Sequence, residues 1–260
     1  MISDKNELEQ LLEFAGRLAR EAGEITLRYF QGSFVLDRKP DKSFVTTADR
    51  EAERYLRTAI EQVFPDDGIL GEEEGNKPGI SDRRWIVDPI DGTYSFVHGV
   101  PLYAVLIGLV VDDEPVLGAV NLPALNEIVS AAQGLGCFCN GKRVNVSATG
   151  SVEDALLLST DFGSCEQYGF GRAAEKLQRQ AKARRTWGDA YGHVMVATGR
   201  AEIMLDPVMN VWDCAALLPI VEEAGGTFTD WGGQRTIHGG NAISTNKLLF
   251  ETVIKAIREA

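Results

Sequence analysis

The segment Trp85-Ile86-Val87-Asp88-Pro89-Ile90-Asp91-Gly92-Thr93 constrains this chain more than any other. It opens as a strongly apolar strand, yet it ends in two acids three residues apart. Pro89 removes a backbone donor, so the chain is expected to turn there. Gly92 permits a close backbone approach beside Asp91. Any fold for this chain must bring carboxylates to the end of an apolar strand and compensate their charge.

Two further segments raise the same problem. Gly71-Glu72-Glu73-Glu74 follows the apolar pair Ile69-Leu70, and Val211-Trp212-Asp213-Cys214-Ala215-Ala216 places an acid before a small-residue helix start. Taken singly, Asp91 before Gly-Thr fits an Asx-turn and Asp213 fits a helix N-cap. Taken together, Glu72, Asp88, Asp91 and Asp213 cannot all stay ionised near one another without a counter-charge. Hard divalent cations with oxygen ligands are the usual one, and Mg²⁺ in particular binds through a few carboxylates, waters and phosphate oxygens.

Around these segments the pattern is mixed. Apolar spacing predicts a helix over 6–30 and a second from Asp49 to Phe64, introduced by Thr46 and Thr47 and stopped by Pro65. From residue 85 to about 145 short β-rich runs predict a largely antiparallel sheet, with Asn140-Gly141 as a hairpin. Beyond Ser147 strands and helices alternate. ALLLST and AEIMLDP read as strands, and Cys165–Ala183, Asp189–Thr198, Trp212–Ala224 and Asn246–Glu259 as helices, with Gly225-Gly226 as a stop. The expected organisation is two closely packed subdomains, α+β over 1–147 and α/β over 148–260.

The 260 residues, 44% hydrophobic, suffice for such a body. No apolar run reaches the roughly 18 residues a membrane span needs, and the charged N-terminus lacks a signal-peptide core. Four cysteines are too few for a disulfide framework, which favours reduced thiols in a cytoplasm. A net charge of −12, with no concentrated basic stretch, argues against a nucleic-acid partner.

The motifs GEE, WIVDPIDGT and WDCAA, in that order, with VTTAD (45–49) upstream and EAGG (223–226) downstream, strongly resemble the inositol monophosphatase superfamily. The resemblance spans nearly the whole chain. It implies a layered αβαβα sandwich and a phosphomonoesterase. It implies metal ligation by Glu72, Asp88, the Ile90 carbonyl, Asp91 and Asp213. It also implies that Asp49 and Thr93, with Glu72, serve the attacking water, and that Gly92 and Thr93 N–H groups meet the phosphate. A phosphate dianion added to four carboxylates would make −6, which two or three Mg²⁺ offset. A homodimer is expected by the same analogy.

Within that superfamily, TWGDAYGH (186–193) and DPVMNVWD (206–213) resemble the histidinol-phosphatase branch. Gly188, Asp189, Asp206 and Asp213 are the expected contacts to the alcohol half of the ester. An anionic Asp189, backed by Asp206, suits an ammonium-bearing substrate such as histidinol phosphate, whereas neutral polyols want hydroxyl or amide partners. Asp189 could instead cap the helix it opens. His193 reads equally as a substrate contact or a core residue. Arg38 and Lys39 could guide phosphate, although surface solvation explains them more simply.

Several other readings compete. An inositol monophosphatase comes first, then a fructose-bisphosphate or nucleotide phosphatase, and outside enzymes a regulator that keeps the fold. Cys137 and Arg143 match the C-x5-R spacing of cysteine phosphatases, but the hairpin between them denies the loop-to-helix geometry that chemistry needs. Cys137-x-Cys139 lacks redox-motif spacing. The three histidines lack zinc-ligand spacing.

Overall fold

A computed structural model describes residues 4–39 and 43–259. The first elements are α1 (Lys5–Leu27), β1 (Leu36–Arg38), β2 (Phe44–Thr46) and α2 (Thr47–Val63). They are followed by β3 (Gly68–Gly71), β4 (Gly75–Lys77), β5 (Arg83–Asp91) and α3 (Thr93–Val97). Four strands come next, β6 (Ala104–Val111), β7 (Glu114–Leu122), β8 (Glu127–Ala132) and β9 (Gly136–Cys139), and then β10 (Lys142–Val144). The remainder is β11 (Leu156–Ser159), α4 (Phe162–Gln167), α5 (Gly171–Gln180), β12 (Ala183–Arg185), α6 (Asp189–Ala197), β13 (Ile203–Asp206), α7 (Val211–Glu223), β14 (Thr227–Thr229), β15 (Ala242–Thr245) and α8 (Phe250–Arg258).

Strands β3 to β10 make one eight-stranded sheet in the order β10-β9-β8-β7-β6-β5-β3-β4, antiparallel except where β3 runs parallel to β5. Strands β11 to β15 make a second sheet, β12-β11-β13-β15-β14, in which β12, β11 and β13 are parallel. Side chains alternate across each strand, so each sheet buries both faces. Trp85, Val87, Val105, Ile107 and Leu109 pack under α1 and α2, whereas Ile86, Leu106 and Val120 meet α6 and α7. In the second sheet Leu158 and Met204 face α6, while Leu157, Ile203, Leu205 and Ile243 are covered by α5 and α8. The stack is helices, sheet, helices, sheet, helices, the αβαβα sandwich expected from the sequence.

The central helix α7 lies very close to the first sheet because small residues meet there. A Cβ on Gly108 would fall 2.9 Å from Ala215 Cβ, and one on Gly118 only 2.0 Å from the Ala216 carbonyl oxygen. This contact brings Asp213, in the first turn of α7, down to the end of β5.

The structure differs from the sequence expectations at several places, among them the first helix, which ends at Leu27 rather than residue 30. The chain does not turn at Pro89; β5 continues to Asp91 through an irregularity between Asp88 and Asp91. The helix expected over Cys165–Ala183 is two helices, separated where Gly169 takes φ +87°. Past the Asn140-Gly141 hairpin the strand, expected from the β-rich run KRVNVS to reach Ser147, ends at Val144, and the last helix begins at Phe250 rather than Asn246. Among the described residues no helix is long and apolar enough to cross a membrane.

Candidate active site

Three carboxylates meet where β5 ends and α7 begins. Asp88, Asp91 and Asp213 each present an oxygen, and all three oxygens lie within 4.8 Å of one another. Each accepts a backbone N–H. Asp88 Oδ1 accepts the Ile90 N–H (3.0 Å), Asp91 Oδ2 accepts the Ala190 N–H at the start of α6 (2.6 Å), and Asp213 Oδ2 accepts the Asn210 N–H (2.6 Å). Asp213 is therefore the third helical residue of a capping box, with Asn210 as the N-cap, and not the cap itself. The Asx-type contact considered for Asp91 belongs to Asp88. The Thr93 hydroxyl donates to the Ile90 carbonyl (3.1 Å).

Glu72, expected from the sequence to converge with these three, is not one of the clustered acids, and neither is Asp49, but both lie near enough to act on them electrostatically. Glu72 sits on the tight hairpin joining β3 to β4, and its charge opposes ionisation of Asp88, Asp213 and Asp49. Lys39 Nζ bridges Glu72 Oε1 (2.7 Å) and Glu73 Oε1 (2.6 Å). Burial pulls the Lys39 ammonium down, but the bonds to Glu72 and Glu73 outweigh it and hold it above its usual range. Asp49, in the first turn of α2, takes both the N–H (2.7 Å) and the hydroxyl (2.5 Å) of Thr46 on Oδ2. Its Oδ1 is buried with no hydrogen-bond partner among the described residues.

The electrostatics follow from burial and from the crowding of the acids. Burial, then the neighbouring acids, pushes Asp88 and Asp91 well above the ordinary carboxylate range. Burial also raises Asp213 to about 7 and Asp49 to about 6, the latter against lowering bonds from Thr46. Carboxylates displaced this way in one cleft are the usual mark of a functional site. An all-oxygen donor set with an unpaired buried Asp49 oxygen fits a hard divalent cation.

A cleft of about 170 Å³ opens from these acids between the sheets, lined by Asp91, Thr160, Ser164, Asp189, Asp206 and Asp213 among others. Asp189 has φ +52°, a left-handed conformation that Asp tolerates better than most residues. Gly188, and not Asp189, is the N-cap of α6, and Asp189 makes no cap bond. A Cβ on Gly188 would lie 2.1 Å from Thr160 Cα, so the chain passes here only as glycine. A Cβ on Gly92 would come 2.9 Å from Asp189 Oδ2, so Asp189 stands directly over the β5 end. Asp206 is 5% exposed and accepts the Thr160 hydroxyl (2.8 Å), whose oxygen in turn accepts the Asp189 N–H (2.8 Å). Burial raises Asp189 to about 6 and Asp206 well above its usual range.

The other candidates fall elsewhere. His193 is fully buried, with Nδ1 2.7 Å from Ser244 Oγ and its ring beside Phe228, and burial lowers it to about 3; it is a core residue. The Arg38 guanidinium lies over the Phe44 ring. Cys137 is buried in the β9–β10 hairpin, where burial pushes its thiol up to about 12, so it offers no thiolate. Thr160 was not anticipated. Its position just past β11, beside the parallel β13, is where open α/β sheets place ligand-facing residues.

Comparison with known proteins places the sequence and the fold in one family. The sequence model described as the inositol monophosphatase family matches residues 7–260. A histidinol-phosphatase of Chlorobaculum parvum is 44% identical over 248 residues, covering 95% of this chain and 96% of that protein. A fructose-1,6-bisphosphatase/inositol-1-monophosphatase of Thermotoga maritima is 36% identical, covering 95% and 96%. Among solved structures, a Thermotoga maritima IMPase superposes with a TM-score of 0.87 at 34% identity, covering 96% of this chain and 97% of that one.

Proposed function

The chain belongs to the inositol monophosphatase family, and from that premise we propose that it is a Mg²⁺-dependent phosphatase that hydrolyses histidinol phosphate to histidinol and phosphate. That it is a phosphoric monoester hydrolase follows from the family and from relatives of that activity. The ester and the metal are the proposal. Glu72, Asp88, the Ile90 carbonyl, Asp91 and Asp213 would hold two or three Mg²⁺. Bound there, the ions would supply a hydroxide nucleophile and a sink for charge on the leaving oxygen. Asp49 and Thr93 would orient the attacking water, with the unpartnered Asp49 Oδ1 as the acceptor for its proton. Gly92 and Thr93 supply N–H groups to the phosphate, and no phosphoenzyme forms. A homodimer, a cytoplasmic location and a subdomain boundary near Ser147 belong to the same reading.

The observation that carries the choice of ester is Asp189. It stands over the β5 end with Asp206 behind it, joined through Thr160. Two acids in this cleft suit an ammonium group and leave a neutral polyol facing carboxylates it cannot neutralise. The second reading, inositol monophosphatase or a broader sugar phosphatase, is favoured by the dual-named Thermotoga relative.

The test compares kcat/KM on histidinol phosphate and inositol phosphate, for the natural chain and for Asp189→Asn, which removes the charge and tolerates the left-handed backbone at this position. The substitution should cost about 10-fold or more on histidinol phosphate, one charge-assisted bond, and far less on inositol phosphate. Equal losses on both would give Asp189 a general role and remove this support. A natural chain that prefers inositol phosphate would establish the second reading.

A further inference from the structure

Helix α2 carries a buried ion pair that neither the fold nor the proposed chemistry requires on its face. Glu53 is fully buried and Arg57, one turn later, is 8% exposed. Pairs at this spacing are ordinarily surface features, and burying one is seldom stabilising by itself. Here both partners point at the hairpin that bears Glu72. Glu53 Oε2 accepts the Glu73 N–H (2.7 Å), and Oε1 accepts the Glu74 N–H (2.9 Å) together with Arg57 Nε (2.8 Å). Arg57 Nη2 donates to the Gly75 carbonyl. Three successive backbone units of one tight turn are thus fastened to a single helix. The approach is so close that a Cβ on Gly71 would lie 2.2 Å from Glu53 Oε1.

We propose that Glu53 is a positioning residue, which with Arg57 fixes the Gly71–Gly75 turn and so places Glu72 among the cation-holding carboxylates. The inference rests on the reading of Glu72 as a metal ligand. Lys39 offsets the repulsion between Glu72 and Glu73 and holds the Glu72 side chain, whereas the charges of Asp88 and Asp213 act against it and nothing on Lys39 fixes the backbone of the turn. The Glu53 carboxylate acts on the backbone of that turn, where it does not depend on which side chain the cation holds. Residues that orient ligands in this way typically cost 10–100-fold in metal affinity when changed.

The test is Mn²⁺ binding to metal-free protein, read as free Mn²⁺ by electron paramagnetic resonance, without substrate. Glu53→Gln should weaken Mn²⁺ binding by about 10-fold or more, with kcat at saturating Mg²⁺ largely retained. Arg57→Lys keeps a cation beside Glu53 but loses the Gly75 bond, and should weaken it in the same direction by less; it decides the matter if Glu53→Gln does not fold. Leu8→Ala, at a core residue near the start of α1 that makes no hydrogen bond to the Gly71–Gly75 turn, should leave Mn²⁺ affinity unchanged although it loosens the core. Unchanged affinity in a folded Glu53 variant, or an equal loss in Leu8→Ala, would overturn the proposal. Glu72→Gln separates the two levels. If it weakens Mn²⁺ and Glu53→Gln does not, only the positioning role fails; if it has no effect, the ligand assignment and the positioning role both fail.

Discussion

At Asp49 one carboxylate oxygen is committed and the other is spare. Oδ2 is saturated by the Thr46 N–H and hydroxyl, while Oδ1 is buried with no partner among the described residues. A buried acceptor left this way costs about 1–3 kcal/mol unless something is bound to it, and a water delivered between Asp49 and Thr93 is what the chemistry needs. Asp49→Asn keeps the capping bonds' shape but cannot accept the proton. It should lower kcat by about 100-fold or more with little change in KM. A rapid acid quench should trap no phosphorylated residue; finding one would exclude direct water attack. At this scale the acids Asp88, Asp91 and Asp213 were legible because each follows or opens an apolar element. Glu53 and Arg57 were not, since an i,i+4 pair on an amphipathic helix looks like any exposed pair until the hairpin is seen folded over it.

Between elements, the decisive contact is α7 against β6 and β7. Asp213 and Asp88 come from segments more than a hundred residues apart, and they meet because Gly108 and Gly118 let Ala215 and Ala216 lie on the sheet. Gly118→Ala would place a methyl 2.0 Å from the Ala216 carbonyl oxygen, so α7 must retreat. Overpacking of this kind costs about 1–3 kcal/mol, and here it should also weaken divalent-cation binding, because Asp213 moves with the helix. A loss of thermal stability with unchanged cation affinity would mean that Asp213 does not depend on this seam. The helices and the Asn140-Gly141 hairpin were legible from periodicity and turn chemistry. Two features were not. Pro89 is accommodated by a strand irregularity, which no local pattern announces. Gly169 breaks α4 from α5 inside a stretch whose apolar spacing continues across it.

For the molecule as a whole, the acids make stability depend on pH and cation together. Asp49, Asp88, Asp91, Asp189, Asp206 and Asp213 all have folded-state values above the ordinary 3.9 or so of an unfolded Asp. Groups raised in this way bind more protons folded than unfolded, so their contribution is present at low pH and lost as pH rises through about 6–7. His193 works the other way. Lowered to about 3, it favours folding above its unfolded value of about 6.5 and loses that contribution as pH falls toward 3. These six aspartates, with Glu73 raised by burial to about 7, outweigh the one histidine and predict that chelated protein melts at a lower temperature at pH 8 than at pH 5.5. Mg²⁺ should raise the melting temperature more at pH 8, where fewer protons compete for the same oxygens. A chelated protein that gains stability from pH 5.5 to 8 would mean the carboxylates are not under mutual strain. The most direct measurement of all is phosphate release from histidinol phosphate before chelation, after chelation and after return of Mg²⁺, with the thiols alkylated in a parallel sample. Loss on chelation, recovery with Mg²⁺ and indifference to alkylation are the expected result. Activity that survives chelation, or that is abolished by alkylation of a folded protein, would contradict a phosphatase built on Glu72, Asp88, Asp91 and Asp213.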